Sequence, residues 1–163
     1  MARLLIVYHS MTGGTRQMAE AAADAARQAD GAEVIVKKAP DAGPGDLLAA
    51  DGYLFACPEN LAAIAGVMKA FFDRSYYPVL GKIEGRPYAA MICAGSDGEN
   101  AMRQLERIAT GWRLKKAADT IIVCTHAQSP GEILAEKTIS EAELERCRET
   151  GAALGAGLEM GIF

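Results

Sequence analysis

Residues 10–15 read Ser-Met-Thr-Gly-Gly-Thr and follow directly on the apolar run Leu4–Tyr8. Residue types in that pattern make an anion cup. Ser10, Thr12 and Thr15 carry hydroxyl donors, with Met11 between the first two. Gly13 and Gly14 let the backbone bend so that successive N–H groups point inward. A helix-period stretch follows, and the positive end of that helix adds to the cup. A phosphate monoester fits such a cup without a lysine.

Other phosphate chemistries fail on residue type. The Walker pattern G-x-x-x-x-G-K-[ST] and the dinucleotide pattern G-x-G-x-x-G are both absent from this turn. A phosphatase of the low-molecular-weight kind needs a cysteine here, and the turn has none. A phospho-receiver domain needs an acid at the end of its third strand, where this chain has Cys57-Pro58. Metal chemistry has no ligand set either. Cys57, Cys93, Cys124 and Cys147 form no C-x-x-C pair, and His9 and His126 stand apart. Free thiols are expected, acting as small hydrophobes. Cys57, Cys93 and Cys124 end three apolar runs and are expected to line one edge of a sheet together.

The elements that position the cup come from five apolar runs: Leu4–Tyr8, Val34–Val36, Tyr53–Cys57, Tyr88–Ala94 and Thr120–Thr125. Most are continuous, as in strands buried on both faces. Helix-period stretches alternate with them. Met18, Ala22, Ala25 and Ala29 mark one stripe; Ile64, Val67, Met68 and Phe71 a second; Ala101, Leu105 and Ile108 a third. The last helix starts at Ser140, with Glu143 at capping-box spacing, and buries Leu144, Cys147, Gly151, Leu154 and Leu158. A helical turn fits residues 44–51, and residues 125–139 read as a loop with some local structure. The alternation predicts an α/β three-layer sandwich over residues 1–163, one domain, with a five-stranded parallel sheet in order 2-1-3-4-5 and helices on both faces. In such sheets ligands sit at the carboxyl ends of the strands. The loops after strands one, three and four then converge on one crevice.

On these residues the chain resembles the flavodoxin-like family. "SMTGGT" looks like that family's S-x-T-G-N-T phosphate loop, with Gly14 in place of asparagine. "DGYLFACPENLAAIAGVMKAFFDR" looks like the second flavin loop and following helix of the NAD(P)H-dependent FMN reductase and WrbA-like branch, and "AAMICAGSDGEN" like the third loop. The resemblance implies noncovalent FMN. Ser10, Met11, Thr12, Gly13, Gly14 and Thr15 would hold its phosphate, and Pro58, Glu59, Asn60, Leu61 and Ala62, with Gly95, Ser96, Asp97 and Gly98, would flank its ring. The family usually places a Tyr or Trp in the second loop, and this chain has none there. Leu61 then packs on the ring through dispersion, or an aromatic comes from Tyr76, Tyr77, Trp112 or a second copy, which makes a homo-oligomer one expectation.

The implied activity is NAD(P)H-dependent flavin oxidoreduction, with electrons passing to a quinone or similar small acceptor. The flavin carries that chemistry, so no side chain is assigned as catalytic. An electron carrier that docks on partner proteins, and a flavin-free relative of the fold, are the alternatives. Net charge is −4, which argues against a nucleic-acid binder. No apolar run reaches bilayer length, so no membrane partner is expected. With no leader pattern in "MARLLIVYHS", the expected location is cytoplasmic.

Overall fold

The computed structural model describes residues 1–29 and 31–163. Strands β1 (Arg3–Tyr8), β2 (Glu33–Lys38), β3 (Gly52–Asn60) and β5 (Pro87–Ala94) form a parallel sheet. Between β3 and β5 the chain makes β4 (Ala63–Ile64), a two-residue strand antiparallel to the end of β3. The edge beyond β5 is shared by β6 (Lys115–Lys116) and β7 (Ile121–Cys124), both parallel to β5.

The parallel positions therefore come in the expected order, with two differences. The fifth position is split. Tyr88 pairs with Lys116 and Met91 with Ile121, so three steps along β5 face five along its neighbour, and the extra residues leave the ladder. The expected strand Thr120–Thr125 corresponds to β7 alone, because nothing in the polar Lys115–Lys116 pair announces a strand. The second difference is β4, which turns much of the expected second loop into a hairpin.

Successive residues of the strands feed opposite faces, as the period of a strand requires. Leu4, Ile6, Leu54, Ala89 and Met91 pack under helices α1 (Gly14–Gln28) and α6 (Glu141–Met160). Leu5, Val7, Tyr53, Phe55 and Ile92 pack under α2 (Pro44–Ala49), α3 (Gly66–Val79) and α4 (Glu99–Gly111). Cys57, Cys93 and Cys124 stand together at the carboxyl edge of the sheet, as expected, but the alternation puts them on different faces: Cys57 and Cys124 belong with the second core and Cys93 with the first.

The helices follow their stripes with small rotations. α1 buries Met18, Ala19, Ala22, Ala23 and Ala26, a stripe turned slightly from the one expected. Its crossing with α6 is close enough that a Cβ on Gly151 would collide with the Ala22 carbonyl. Ile64 belongs to β4 rather than to α3, which buries Met68, Phe71, Phe72 and Ser75. Ser140 caps α6 by accepting from the Glu143 N–H at 3.3 Å. Arg74 donates to the carbonyls of Ala39 and Ala42 and lies over the Phe71 ring, tying α3 to the turn before α2.

Candidate functional site

The turn after β1 closes on itself. Gly13 has φ +90°, a left-handed conformation that a glycine adopts without strain, and it starts α1. Its N–H donates to Ser10 Oγ at 3.2 Å. The remaining polar groups of the turn face a cleft of about 410 Å³, within the range of small-ligand sites. Ser10, Met11, Thr12, Gly14 and Thr15 line one end of it. Pro58, Glu59, Asn60 and Leu61 from the β3 end, and Gly95 and Ser96 from the β5 end, line the rest. Three loops from neighbouring strands thus meet at the carboxyl edge of the sheet.

Four of the expected site residues do not line the cleft. Gly13 faces the turn itself. The Ala62 carbonyl accepts from Asn100 Nδ2 at 2.6 Å. The Gly98 N–H donates to Glu59 Oε2 at 2.8 Å, and the Asp97 carboxylate accepts from the Glu99 N–H at 3.4 Å. Ala62, Asp97 and Gly98 therefore stand behind the wall and hold it in place. Gln104 completes this bracing by accepting from the Ile64 N–H at 2.9 Å.

The β3–β4 hairpin has a two-residue turn, Leu61-Ala62, with φ +50° and +62°. Positive φ at both central positions suits the twist of a tight hairpin and normally selects Asn-Gly. Here the Leu61 side chain stands fully in solvent, at 102% relative exposure. Met11 across the cleft is also exposed.

Among the described residues, no aromatic side chain lines the cleft. Trp112 is buried under the sheet, donates its Nε1–H to the Tyr76 carbonyl at 3.0 Å and stacks on the Tyr76 ring at 5.6 Å. Tyr77 meets Tyr76 edge-on at the far end of α3. The expectation that one of these three supplies a stacking ring is corrected by their place in the fold: Tyr76 and Tyr77 lie in the last turns of α3 and Trp112 at the C-terminal end of α4, and none of them lines the cleft.

Residues the sequence left as a loop complete the site. Thr125, Ala127, Ile133 and Lys137 line the cleft along with Cys93 and Ala94. A short helix, α5 (Pro130–Leu134), precedes Lys137. The Lys137 ammonium donates to the carbonyls of Glu132, Ile133 and Ala135 at 2.7, 2.9 and 2.5 Å, closing the end of that helix. Burial pushes the Cys93 thiol up to about 11, with Lys137 opposing weakly. At neutral pH Cys93 is therefore a neutral wall residue. Burial also lowers the His9 imidazole from its ordinary value, and neither His9 nor His126 lines the cleft.

A family model described as Flavodoxin matches residues 6–151 of this chain. The chain belongs to the flavodoxin family. It is 30% identical over 158 residues to a protein named Flavodoxin from Aquifex aeolicus, with 94% of this chain and 85% of that protein covered. It is 34% identical over 95 residues to a protein named NAD(P)H dehydrogenase (quinone) from Acidithiobacillus ferrooxidans; that match covers 46% of this chain and 48% of that protein. Among solved structures, the WrbA-like flavodoxin protein of Agrobacterium tumefaciens superposes with a TM-score of 0.69 at 23% identity, covering 95% of this chain and 96% of that one. At that identity the likeness concerns the flavodoxin fold alone.

Proposed function

We propose that this chain binds FMN noncovalently and transfers electrons. The observation that carries the reading is a single cleft with two unlike ends. One end is a hydroxyl- and glycine-lined cup at a helix N-terminus; the other has apolar walls from Pro58 and Leu61. That polarity fits a ligand with a phosphate at one end and a flat ring at the other. Bound FMN would supply the redox chemistry. The chain would hold the phosphate with Ser10, Thr12, Thr15 and the N–H groups of the turn, and edge the ring with Gly95 and Ser96. Glu59 would keep the third loop in place through Gly98.

Of the two finer readings, the electron carrier is favoured by the rim. Met11, Leu61, Ile133 and Leu134 expose apolar side chains. Met11, Leu61 and Ile133 come from three different segments at the cleft. Glu59, Asp97, Glu99 and Glu143 lie near enough to Cys124 for their charge to raise its thiol, after burial. An apolar centre with carboxylates beside it suits docking on a partner protein. The NAD(P)H-dependent reductase, passing electrons to a quinone or similar small acceptor, is the second reading. The ring face left without an aromatic cover favours it, since a nicotinamide or quinone could stack there.

Titration with FMN tests the first step: a protein that neither carries yellow flavin nor quenches FMN fluorescence contradicts both readings and leaves the flavin-free relative. Anaerobic mixing separates the two. Direct bleaching by NADH or NADPH, followed by reoxidation with a quinone, selects the reductase. Bleaching only when a separate reductase protein is added selects the carrier.

A further inference from the structure

The segment after α5 packs against the phosphate turn and is stitched to it by three hydrogen bonds. The Lys137 N–H donates to the Thr12 carbonyl at 2.8 Å. Gln17, in the first turn of α1, uses both ends of its side-chain amide. Its Nε2 donates to the Lys137 carbonyl at 2.6 Å, and its Oε1 accepts from the Ile139 N–H at 2.9 Å. Both bonds are partly buried. Gln17 therefore reads the backbone on either side of residue 138 as a neighbouring strand would.

These bonds bear on the cup. In a trans peptide the C=O and the following N–H point to opposite sides. With the Thr12 carbonyl held by Lys137, the Gly13 N–H is turned the other way, toward Ser10 Oγ, which accepts it at 3.2 Å and closes the turn. A Gly-Gly pair left alone has more conformational freedom than any other dipeptide, and ordering it on binding would cost affinity. The family's asparagine would restrain position 14 from within the turn. Here the restraint comes from outside. Ile139 is buried, and its Cδ1 stands 3.4 Å from where a Gly14 Cβ would be.

We propose that Gln17 is a positioning residue for the phosphate end of the site: it clamps residues 137–139 onto the turn and so sets affinity for the ligand's phosphate, not for its ring. The inference rests on the FMN reading, which is tested first on the unaltered protein.

The experiment compares FMN and riboflavin dissociation constants for the wild type, Gln17→Met and Gln17→Asn. Met keeps the bulk without the bonds, and Asn is too short to reach both backbone groups. Gln28→Met, an exposed residue at the other end of α1, is the control. Two lost hydrogen bonds correspond to about a tenfold effect. The expected result is FMN weakened about tenfold or more in both Gln17 variants, riboflavin changed less than about twofold, and Gln28→Met like the wild type. Thermal stabilisation of the ligand-free protein by inorganic phosphate is expected to shrink in step. Equal losses for both flavins, or a lower melting temperature with the FMN-to-riboflavin ratio unchanged, would make Gln17 a merely structural residue and overturn the proposal. If Gln17→Met fails to fold, Gln17→Asn decides alone. A wild type that binds no FMN refutes the parent reading instead, and is recognised before any variant is made.

Discussion

Gly14 and Cys93 touch in a way that forbids a side chain between them: a Cβ on Gly14 would lie 2.8 Å from the Cys93 Sγ. The glycine that departs from the family's usual asparagine is thus matched by a residue at the end of β5. Gly14→Asn is expected to destabilise the protein by about 1–3 kcal/mol through overpacking. Cys93→Ala in the same chain should recover much of that, because it removes the atom in the way. Chemical denaturation of the two single variants and the double variant gives the coupling energy. Additive effects would mean that the two residues do not constrain each other.

Ser75 makes the opposite kind of prediction. Its hydroxyl is fully buried in α3 and has no hydrogen-bond partner among the described residues. Leaving a buried polar group unsatisfied costs on the order of 1–3 kcal/mol. Alanine removes the group and is also the better helix former. Ser75→Ala should raise the urea midpoint by the equivalent of about 1 kcal/mol with an unchanged slope. A lower midpoint would indicate that the hydroxyl has a partner in solution.

The thiols set the response to alkali. Burial pushes Cys57 up to about 12 and both Cys93 and Cys147 up to about 11, from an ordinary 9.0. These groups hold their protons more tightly folded than unfolded. Between pH 9 and about 11–12 the unfolded chain has released protons that the folded chain keeps, so stability falls as pH rises through that window. Burial of Tyr88, raised to about 12, acts in the same direction. Melting temperature should be insensitive to these groups below pH 9 and fall steeply above it, and Cys57→Ala should flatten the slope. A flat profile up to pH 11 would contradict the burial of these thiols.

How much of this was legible in the sequence depends on how local each feature is. The parallel sheet and its order were readable because β1, β3 and β5 are continuous apolar runs. The phosphate turn was readable because its hydroxyls and glycines are six consecutive residues. The Gln17–Lys137 clamp joins a side-chain amide to a main-chain carbonyl 120 positions away, so no side-chain pattern announces it. The hairpin at Leu61-Ala62 was missed for a different reason. Its turn lacks the Asn-Gly chemistry that marks such turns, and the strand pairing overrides what Leu and Ala prefer.

That mismatch yields the last prediction. Leu61 and Ala62 both sit at positive φ, where an L-residue carries roughly 1–2 kcal/mol of strain. The apolar Leu61 side chain also stands fully exposed at the mouth of the cleft. A turn that is costly in both backbone and exposure is consistent with a residue kept for what it covers. Replacing Leu61-Ala62 by Asn-Gly should therefore stabilise the ligand-free protein by about 1–2 kcal/mol while weakening FMN and riboflavin equally, since the proposed FMN site sets Leu61 against the ring both share. Leu61→Trp should tighten both by restoring a stacking surface. Denaturation of the ligand-free variants and parallel titrations with the two flavins check this. A selective loss of FMN alone would place Leu61 against the phosphate rather than the ring.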